Sequence, residues 1–187
     1  MIGVLASGEG TNLHALIDAG LPIVAVASNK PDARALERAR AAGIAASTFD
    51  DEVEMADWLD GHGVQVVVLA GYLRVLSPAF LERFDPIVNV HPSLLPSFPG
   101  LRAIEQAVEA GVPMTGVTVH LVDEGIDTGP VLRQEPVPVE PVDTLVERIH
   151  SVEHRLLPEV VRLFAAGRVR RDPVRRRVVD VTGEVAG

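Results

Sequence analysis

The stretch that decides the fold is PIVNVHPSLLPSFPG, residues 86–100. Apart from Asn89, the residues Ile87 to Val90 are apolar and β-branched, which predicts a short strand in a buried sheet. Asn89 and His91 stand two residues apart, and because strand side chains alternate between faces, both point the same way. Pro92 ends the strand, since proline has no N–H to donate. The stretch therefore predicts an amide and an imidazole side by side at the C-terminal end of a strand, where open α/β sheets bind ligands.

This pair of side chains suits a reaction in which a carbonyl oxygen becomes negative and a proton must move. Asn89 offers a neutral N–H donor, and His91 exchanges protons near neutral pH. The alternative is a polar pair that caps the strand and is satisfied by loop backbone. The pair alone does not identify the reaction.

Length and composition indicate one soluble globular domain over residues 1–187. The 187 residues suffice for one sizeable core, and 47% hydrophobic with 23% charged residues is ordinary for such proteins. The chain has no cysteine, which excludes disulfides, thiolate chemistry and a cysteine-ligated metal, and agrees with a cytoplasmic location.

The charge pattern bears on partners. No signal peptide and no membrane span are predicted, because no apolar run approaches roughly 20 residues. The net charge of -9 argues against non-specific nucleic-acid binding. The arginine-rich segment Arg168 to Asp180 is predicted to be a terminal hairpin, either a solvated edge or a contact for an anion or RNA. Lys30 is the only lysine.

The N-terminus predicts a strand, a glycine-rich turn and a helix, at Ile2 to Ala6, Ser7 to Asn12 and Leu13 to Ala19. This arrangement presents free N–H groups to a phosphate. It lacks the third glycine of a dinucleotide fingerprint, because Leu13 stands there, and it lacks the Gly-Lys-Ser/Thr ending of a P-loop. A turn without any ligand is the alternative.

Strands and helices alternate over the first half of the chain, which predicts a doubly wound, mostly parallel sheet. The further strands are predicted at Pro22 to Ser28, Ile44 to Thr48 and Gln65 to Ala70. The further helices are predicted at Asp32 to Ala42, at Asp51 to Leu59 with Val53 and Ala56 inward, and after Ser77-Pro78.

The second half predicts a helix, an antiparallel hairpin and a long C-terminal helix. The helix is at Arg102 to Ala110, and the hairpin pairs Met114 to Val122 with Pro130 to Val139. Its connection, Asp123 to Gly129, is either a solvated acidic turn or part of a site, and it lacks calcium-loop spacing. His120 is interpreted as a structural histidine.

The last helix is predicted from Asp143 to about Ala166, with Pro158 causing a kink or a break. The residues predicted on its apolar side are Val146, Ile149, Val152, Leu156, Val160 and Phe164.

These motifs together resemble the bacterial phosphoribosylglycinamide formyltransferases, folate-dependent enzymes of purine synthesis. The resemblance covers nearly the whole chain and is carried by VLASGEGTNLHALI, VVVLAGYLRVLSP, NVHPSLLPSFPG, TGVTVHLVDEGIDTGPVLRQ and VEHRLLP. It implies a Rossmann-like formyltransferase fold and transfer of a formyl group from 10-formyltetrahydrofolate to glycinamide ribonucleotide. It also implies no metal, small-molecule substrates, and a monomer or homodimer.

The resemblance also implies roles for particular residues. The catalytic set would be Asn89, His91 and Asp127. The ribonucleotide would be bound by Gly10, Thr11, Asn12 and Glu153. The folate would be bound by Leu73, Arg74, Val75, Leu76, Asn89, Asp123 and Asp127, with the hairpin loop closing over the pterin.

The chain departs from the family pattern at one point, and other functions remain as alternatives. Many relatives carry an arginine near the start of the third helix that approaches the folate tail, and this chain has Asp50, Asp51 and Glu52 there instead. A formyltetrahydrofolate deformylase usually has an extra regulatory domain, and a methionyl-tRNA formyltransferase has an extra tRNA-binding barrel. A non-catalytic binding module would not need all of Asn89, His91 and Asp127.

Overall fold

The computed structural model describes residues 1–171 and 179–181. The chain divides into two compact units, Met1–Asn89 and Val90–Gly187. The prediction of a single domain over residues 1–187 stays a prediction.

The first unit alternates strands and helices. Its strands are β1 (Ile2–Leu5), β2 (Ile23–Ser28), β3 (Ala45–Thr48), β4 (Val66–Leu69) and the start of β5 (Ile87–His91). Its helices are α1 (Thr11–Asp18), α2 (Arg34–Ala41), α3 (Glu52–Gly61) and α4 (Pro78–Arg83). All strand pairs here are parallel, with Val4 opposite both Val26 and Val68.

The core of this unit surrounds β1, because this strand has a parallel neighbour on each side. All four of its residues are buried, and so are three of the four residues of β4. Continuous apolar strands of this kind are typical of parallel sheets covered on both faces.

The second unit contains the antiparallel elements and the longest helix. Its elements are α5 (Ala103–Glu109), β6 (Met114–Leu121), β7 (Val131–Pro138), a 3₁₀ turn (Val142–Thr144), α6 (Leu145–Ala165), β8 (Val169–Arg171) and β9 (Val179–Val181). β6 and β7 form the predicted hairpin, with Thr118 opposite Gln134. β8 and β9 pair antiparallel, which agrees with the predicted terminal hairpin, although its residues 172–178 lie outside the described residues.

The strand order β3-β2-β1-β4-β5-β6-β7 forms one seven-stranded sheet. The order reverses between β1 and β4, which is the switch point of a doubly wound sheet. The predicted fold class, a mostly parallel sheet with an antiparallel hairpin and a long C-terminal helix, is therefore confirmed.

Two predictions of inward-facing residues are wrong. Val53 is 64% exposed, because the buried face of α3 is formed by Met55, Ala56 and Leu59. Val146 is 48% exposed, because the buried positions of α6 start one residue earlier, at Leu145. The other predictions for these faces hold at Ala56 on α3 and at Ile149, Leu156 and Val160 on α6, all of which are buried.

Of the kink or break predicted at Pro158, the break is wrong, and the kink stays a prediction. α6 continues through Pro158 from Leu145 to Ala165. A proline inside a helix costs about 3 kcal/mol, because it removes a hydrogen bond and crowds the preceding turn. Here Leu156, Leu157, Val160 and Val161 are buried around it, and their packing offsets that cost.

Candidate active site

Strand β5 positions the first two predicted catalytic residues. His91 is 5% exposed and Asn89 is half-buried, and both lie on one side of the strand because they are two residues apart. The loop that follows His91 returns to it, since the Phe98 carbonyl oxygen lies 2.8 Å from His91 Nε2. Phe98 has a φ of 54°, a left-handed conformation that is uncommon outside glycine.

The second nitrogen of His91 faces a carboxylate. His91 Nδ1 lies 3.3 Å from Asp127 Oδ2. The carbonyl oxygen of Phe98 and the ionised carboxylate of Asp127 both accept hydrogen bonds and donate none. Both nitrogens of the His91 ring thus lie close to groups that accept hydrogen bonds.

Asp127 is held by three donors. Its Oδ2 accepts from the backbone N–H of Gly100 at 2.7 Å, and its Oδ1 lies 3.5 Å from Nε2 of His120. Burial raises the pKa of this carboxyl, but the hydrogen bond from His120, the N–H of Gly100 and the charge of His91 together lower it from 3.8 to about 2. Asp127 is therefore ionised at neutral pH.

His120 is the residue whose place sequence reasoning missed. Its Nδ1 lies 2.9 Å from the carbonyl oxygen of Leu121, in agreement with a structural role, but its Nε2 faces Asp127. The hairpin carries the signal that could have found this contact. His120 is the penultimate residue of β6, and Asp127 lies in the connection that folds back towards it.

A buried polar network fixes the loop after His91. Thr118 Oγ1 donates to the Ser93 carbonyl oxygen at 2.7 Å and accepts from the Leu95 N–H at 3.1 Å. Gln134 Nε2 donates to Thr118 Oγ1 at 2.9 Å and to the Leu95 carbonyl oxygen at 2.8 Å. The bonds of Thr118 to Ser93 and Leu95 are buried and shielded from water, whereas Gln134 is exposed. Together these bonds hold the loop against the β6–β7 hairpin.

The glycine-rich turn lies in the first unit, at the switch point between β1 and β4. Gly10 has a φ of 71° and is the N-cap of α1, so the helix begins at Thr11 and not at the predicted Leu13. A Cβ on Gly10 would lie 2.7 Å from the Cα of Ala35 on α2, so only glycine fits. Asn12 is buried at the start of α1.

α2 holds this turn from the side. The Ala35 N–H donates to the Gly8 carbonyl oxygen at 3.1 Å, and Arg38 Nε donates to the Glu9 carbonyl oxygen at 2.8 Å. Arg34 Nη1 lies 2.9 Å from Glu9 Oε2. Three successive points of contact thus fix the backbone that leads into Gly10.

The segment after β4 meets the glycine-rich turn. The Leu73 N–H donates to Ser7 Oγ at 2.9 Å, and the Gly71 carbonyl oxygen accepts from the Ser7 N–H at 3.0 Å. Leu73 and Val75 are exposed, whereas Leu76 is buried. Arg74 Nη1 donates to the Asp50 carbonyl oxygen at 2.8 Å, just before the acidic N-terminus of α3. The predicted folate contacts of Leu73, Arg74, Val75 and Leu76 stay predictions.

The remaining predicted residues lie in the second unit. Glu153 is on α6 and is 6% exposed. Asp123 opens the β6–β7 connection, and its Oδ1 accepts from Thr128 Oγ1 at 2.6 Å and from the Gly125 N–H at 3.1 Å. Among the described residues no group of three or more histidine and carboxylate side chains is placed to hold a metal ion. Within the same residues no helix is long and apolar enough to cross a membrane.

Comparisons with known proteins show which family this chain resembles. The family model described as "Formyl transferase" matches residues 1–161. The chain is 44% identical to "Phosphoribosylglycinamide formyltransferase" of Escherichia coli (strain K12), over 90% of this chain and 89% of that protein. It is also 43% identical to "Trifunctional purine biosynthetic protein adenosine-3" of Drosophila pseudoobscura pseudoobscura, over 91% of this chain, but it spans only 14% of that protein's length.

A solved structure extends the likeness to the fold. Glycinamide ribonucleotide transformylase 1 from Symbiobacterium toebii superposes with a TM-score of 0.90 at 42% identity, covering 97% of this chain and 93% of that one. Likeness in sequence and in backbone thus extends over almost the whole chain. The chain belongs to the formyl transferase family and, within it, to the phosphoribosylglycinamide formyltransferases.

Proposed function

We propose that this chain transfers the formyl group of 10-formyltetrahydrofolate to the amine of glycinamide ribonucleotide in de novo purine biosynthesis. Family membership supports the choice of substrates. The observation that supports the chemistry best is His91, whose two ring nitrogens face a carbonyl oxygen and an ionised carboxylate. This arrangement places the buried ring of His91 between two hydrogen-bond acceptors at the end of β5.

The reaction proceeds by direct attack of the amine. The ribonucleotide nitrogen forms a bond to the formyl carbon, and the carbonyl oxygen becomes an oxyanion. Asn89 donates a neutral hydrogen bond to that oxygen, and the His91 imidazolium stabilises it. The bond from carbon to N10 then breaks, N10 gains a proton, and the incoming nitrogen loses one.

Asp127 keeps His91 protonated, because an opposite charge a few ångström away favours the cationic ring. It also holds a water molecule that carries the proton from the incoming nitrogen to N10. No acyl-enzyme forms, so the catalytic contribution consists of positioning, charge and proton transfer.

The other predicted residues bind the two substrates. Gly10, Thr11 and Asn12 bind the phosphate and ribose of the ribonucleotide, and the buried Glu153 contacts the same substrate. Leu73 to Leu76 line the pterin pocket largely through backbone groups, together with Asn89, Asp123 and Asp127. We further propose a cytoplasmic enzyme that acts as a monomer or homodimer, without nucleic acid or membrane partners.

The test follows the absorbance change as 10-formyltetrahydrofolate loses its formyl group, with and without glycinamide ribonucleotide. We expect loss only when the ribonucleotide is present. Equal loss without it would make the chain a deformylase, and no loss in either case would make it a binding module.

The same assay tests the catalytic set. His91→Ala and Asp127→Ala are expected to lower turnover by about a hundred- to a thousand-fold, the usual cost of losing a group that stabilises an oxyanion, with little change in KM. Asp143→Ala, an exposed carboxylate ahead of α6, is the matched control and should keep normal turnover. Near-normal turnover of either alanine variant would defeat the assignment.

A further inference from the structure

Asp127 occupies a backbone conformation that side chains rarely adopt. Its φ is 53°, in the left-handed region. For a residue other than glycine this region costs on the order of 1 kcal/mol or more, although aspartate tolerates it better than most. Contacts of Asp127 itself and of its neighbours in the loop must therefore offset this cost.

The loop closes on itself through Asp123 and Thr128. Asp123 Oδ1 accepts from the Thr128 hydroxyl at 2.6 Å and from the Gly125 N–H at 3.1 Å. Thr128 directly follows Asp127, so the bond from its hydroxyl fixes the C-terminal side of the Asp127 backbone. We name this closed segment, residues 123–128, the clasp.

Two glycines show how closely the clasp is packed. A Cβ on Gly125 would overlap the hydroxyl oxygen of Thr128, and a Cβ on Gly129 would overlap the carbonyl oxygen of Leu121. There is thus no room for a side chain at Gly125 beside the Thr128 hydroxyl, nor at Gly129 beside the end of β6. Thr128 itself is exposed, so its hydroxyl is held by the bond to Asp123 and not by burial.

We propose that Thr128 is a positioning residue for the reaction: its hydroxyl, through Asp123, holds Asp127 so that the carboxylate faces His91 and His120. This inference rests on the proposed catalytic role of Asp127. Thr128 touches neither His91 nor His120 through any bond described above, so its effect passes through Asp127. A bond from a hydroxyl to a carboxylate is charge-assisted and stronger than a neutral one.

The test compares Thr128→Val with Thr128→Ser. Valine keeps the shape of threonine and removes the donor, whereas serine keeps the donor. We expect Thr128→Val to lower turnover about tenfold at saturating substrates, because it loses one charge-assisted hydrogen bond. Thr128→Ser keeps that bond, so its turnover should stay within about twofold of the parent. Thermal unfolding followed by circular dichroism checks that both variants fold.

A second measurement reads Asp127 directly, without the reaction. Its carboxyl carbon in ¹³C-labelled protein should titrate with a pKa of about 2, and in Thr128→Val the pKa should rise towards the ordinary 3.8. In Thr128→Ser the pKa should stay low. The proposal fails if Thr128→Val leaves turnover or the Asp127 pKa unchanged, or if it raises only KM for the folate.

The two proposals fail in different ways. Full turnover of Asp127→Ala would end the catalytic assignment of Asp127. An unchanged Asp127 pKa in Thr128→Val would end the role of the clasp and leave the catalytic assignment intact.

Discussion

Asp127 keeps its negative charge in a poorly hydrated place because its oxygens face three donors. Gly100 contributes a backbone N–H, and two histidines from different segments approach from either side. Burial alone would raise the pKa of this carboxyl, and the donors reverse that effect. The negative charge thus exists in the folded state because the loop after β5 and the β6–β7 hairpin bring their donors to the same carboxylate.

The low pKa of Asp127 predicts how the free energy of unfolding depends on pH. The folded-state pKa of Asp127, about 2, lies below its ordinary 3.8, so its charge stabilises the fold above about pH 4, and this contribution is lost as the pH falls towards 2. The full contribution is about 2 kcal/mol. Asp127→Asn keeps the shape of the side chain without its charge. In urea unfolding from about pH 5 to about pH 2, the free energy of unfolding of the parent should fall towards that of this variant. A difference in unfolding free energy that does not change with pH would contradict this account.

At the scale of single residues, physical reasoning from the sequence predicted only part of the candidate site. Strand alternation placed Asn89 and His91 on one side, because both lie in a regular element with a fixed period. The pairing of His91 with Asp127 came from the resemblance alone. It depends on a left-handed backbone at Asp127 and on a loop return at Phe98, and no local pattern predicts these.

At the scale of elements, the glycine-rich turn depends on its neighbour α2. Ala35 and Arg38 bond to carbonyl oxygens of the turn, and Gly10 packs against the Ala35 backbone. The turn is therefore shaped by tertiary contacts as well as by its glycines. Sequence patterns predicted its place between β1 and α1 but not this support, which comes from residues further along the chain.

Gly10→Ala tests this support. The added methyl group would meet the Ala35 backbone at 2.7 Å and strain a φ of 71°, so we expect a loss of more than about 1 kcal/mol in unfolding free energy. We also expect a several-fold higher KM for the ribonucleotide. Gly8→Ala is the matched control, because nothing lies within 4 Å of a Cβ there and its φ is not positive. Equal effects of the two changes in urea unfolding would refute the role of α2.

In the connection from β7 to α6, a side chain supplies hydrogen bonds to the backbone carbonyl oxygens. Arg148 donates from its guanidinium to the carbonyl oxygens of Pro138, Val139 and Pro141, and its Nε donates to Thr144 Oγ1 at 3.2 Å. Prolines interrupt the regular hydrogen bonding of this segment, and the planar guanidinium supplies donors in its place. The sequence predicted the two flanking elements, but not this contact, because a single arginine within a helix has no distinctive pattern.

At the scale of the whole molecule, protection from solvent is uneven. β1 has parallel neighbours on both sides and all four residues buried, whereas β7 follows β6 at the edge of the sheet and buries two of its eight residues, Leu132 and Val137. The alternation of strands and helices in the sequence predicted the doubly wound sheet, because its apolar runs are long and regular. It did not predict the division at Asn89, since β5 is continuous across that point.

Hydrogen exchange should reflect this difference. We expect the amides of β1, such as that of Val4, to exchange at least a hundred-fold more slowly than the outward amides of β7, because they open only on broader unfolding. Exchange followed by two-dimensional NMR at constant pH would measure both. Equal rates in the two strands would show that the buried parallel strands are not the most stable part.

Lys30 has a practical consequence for chemical labelling. It is the only lysine of the chain, it is exposed, and it follows Asn29, whose side-chain oxygen accepts from Ser7 Oγ at 2.6 Å. Apart from the α-amino group, an amine-reactive dye therefore has a single point of attachment, next to a residue bonded to the start of the glycine-rich turn. The emission of a fluorophore attached to Lys30 is expected to change if a ligand binds at the glycine-rich turn. This readout needs no engineered residue.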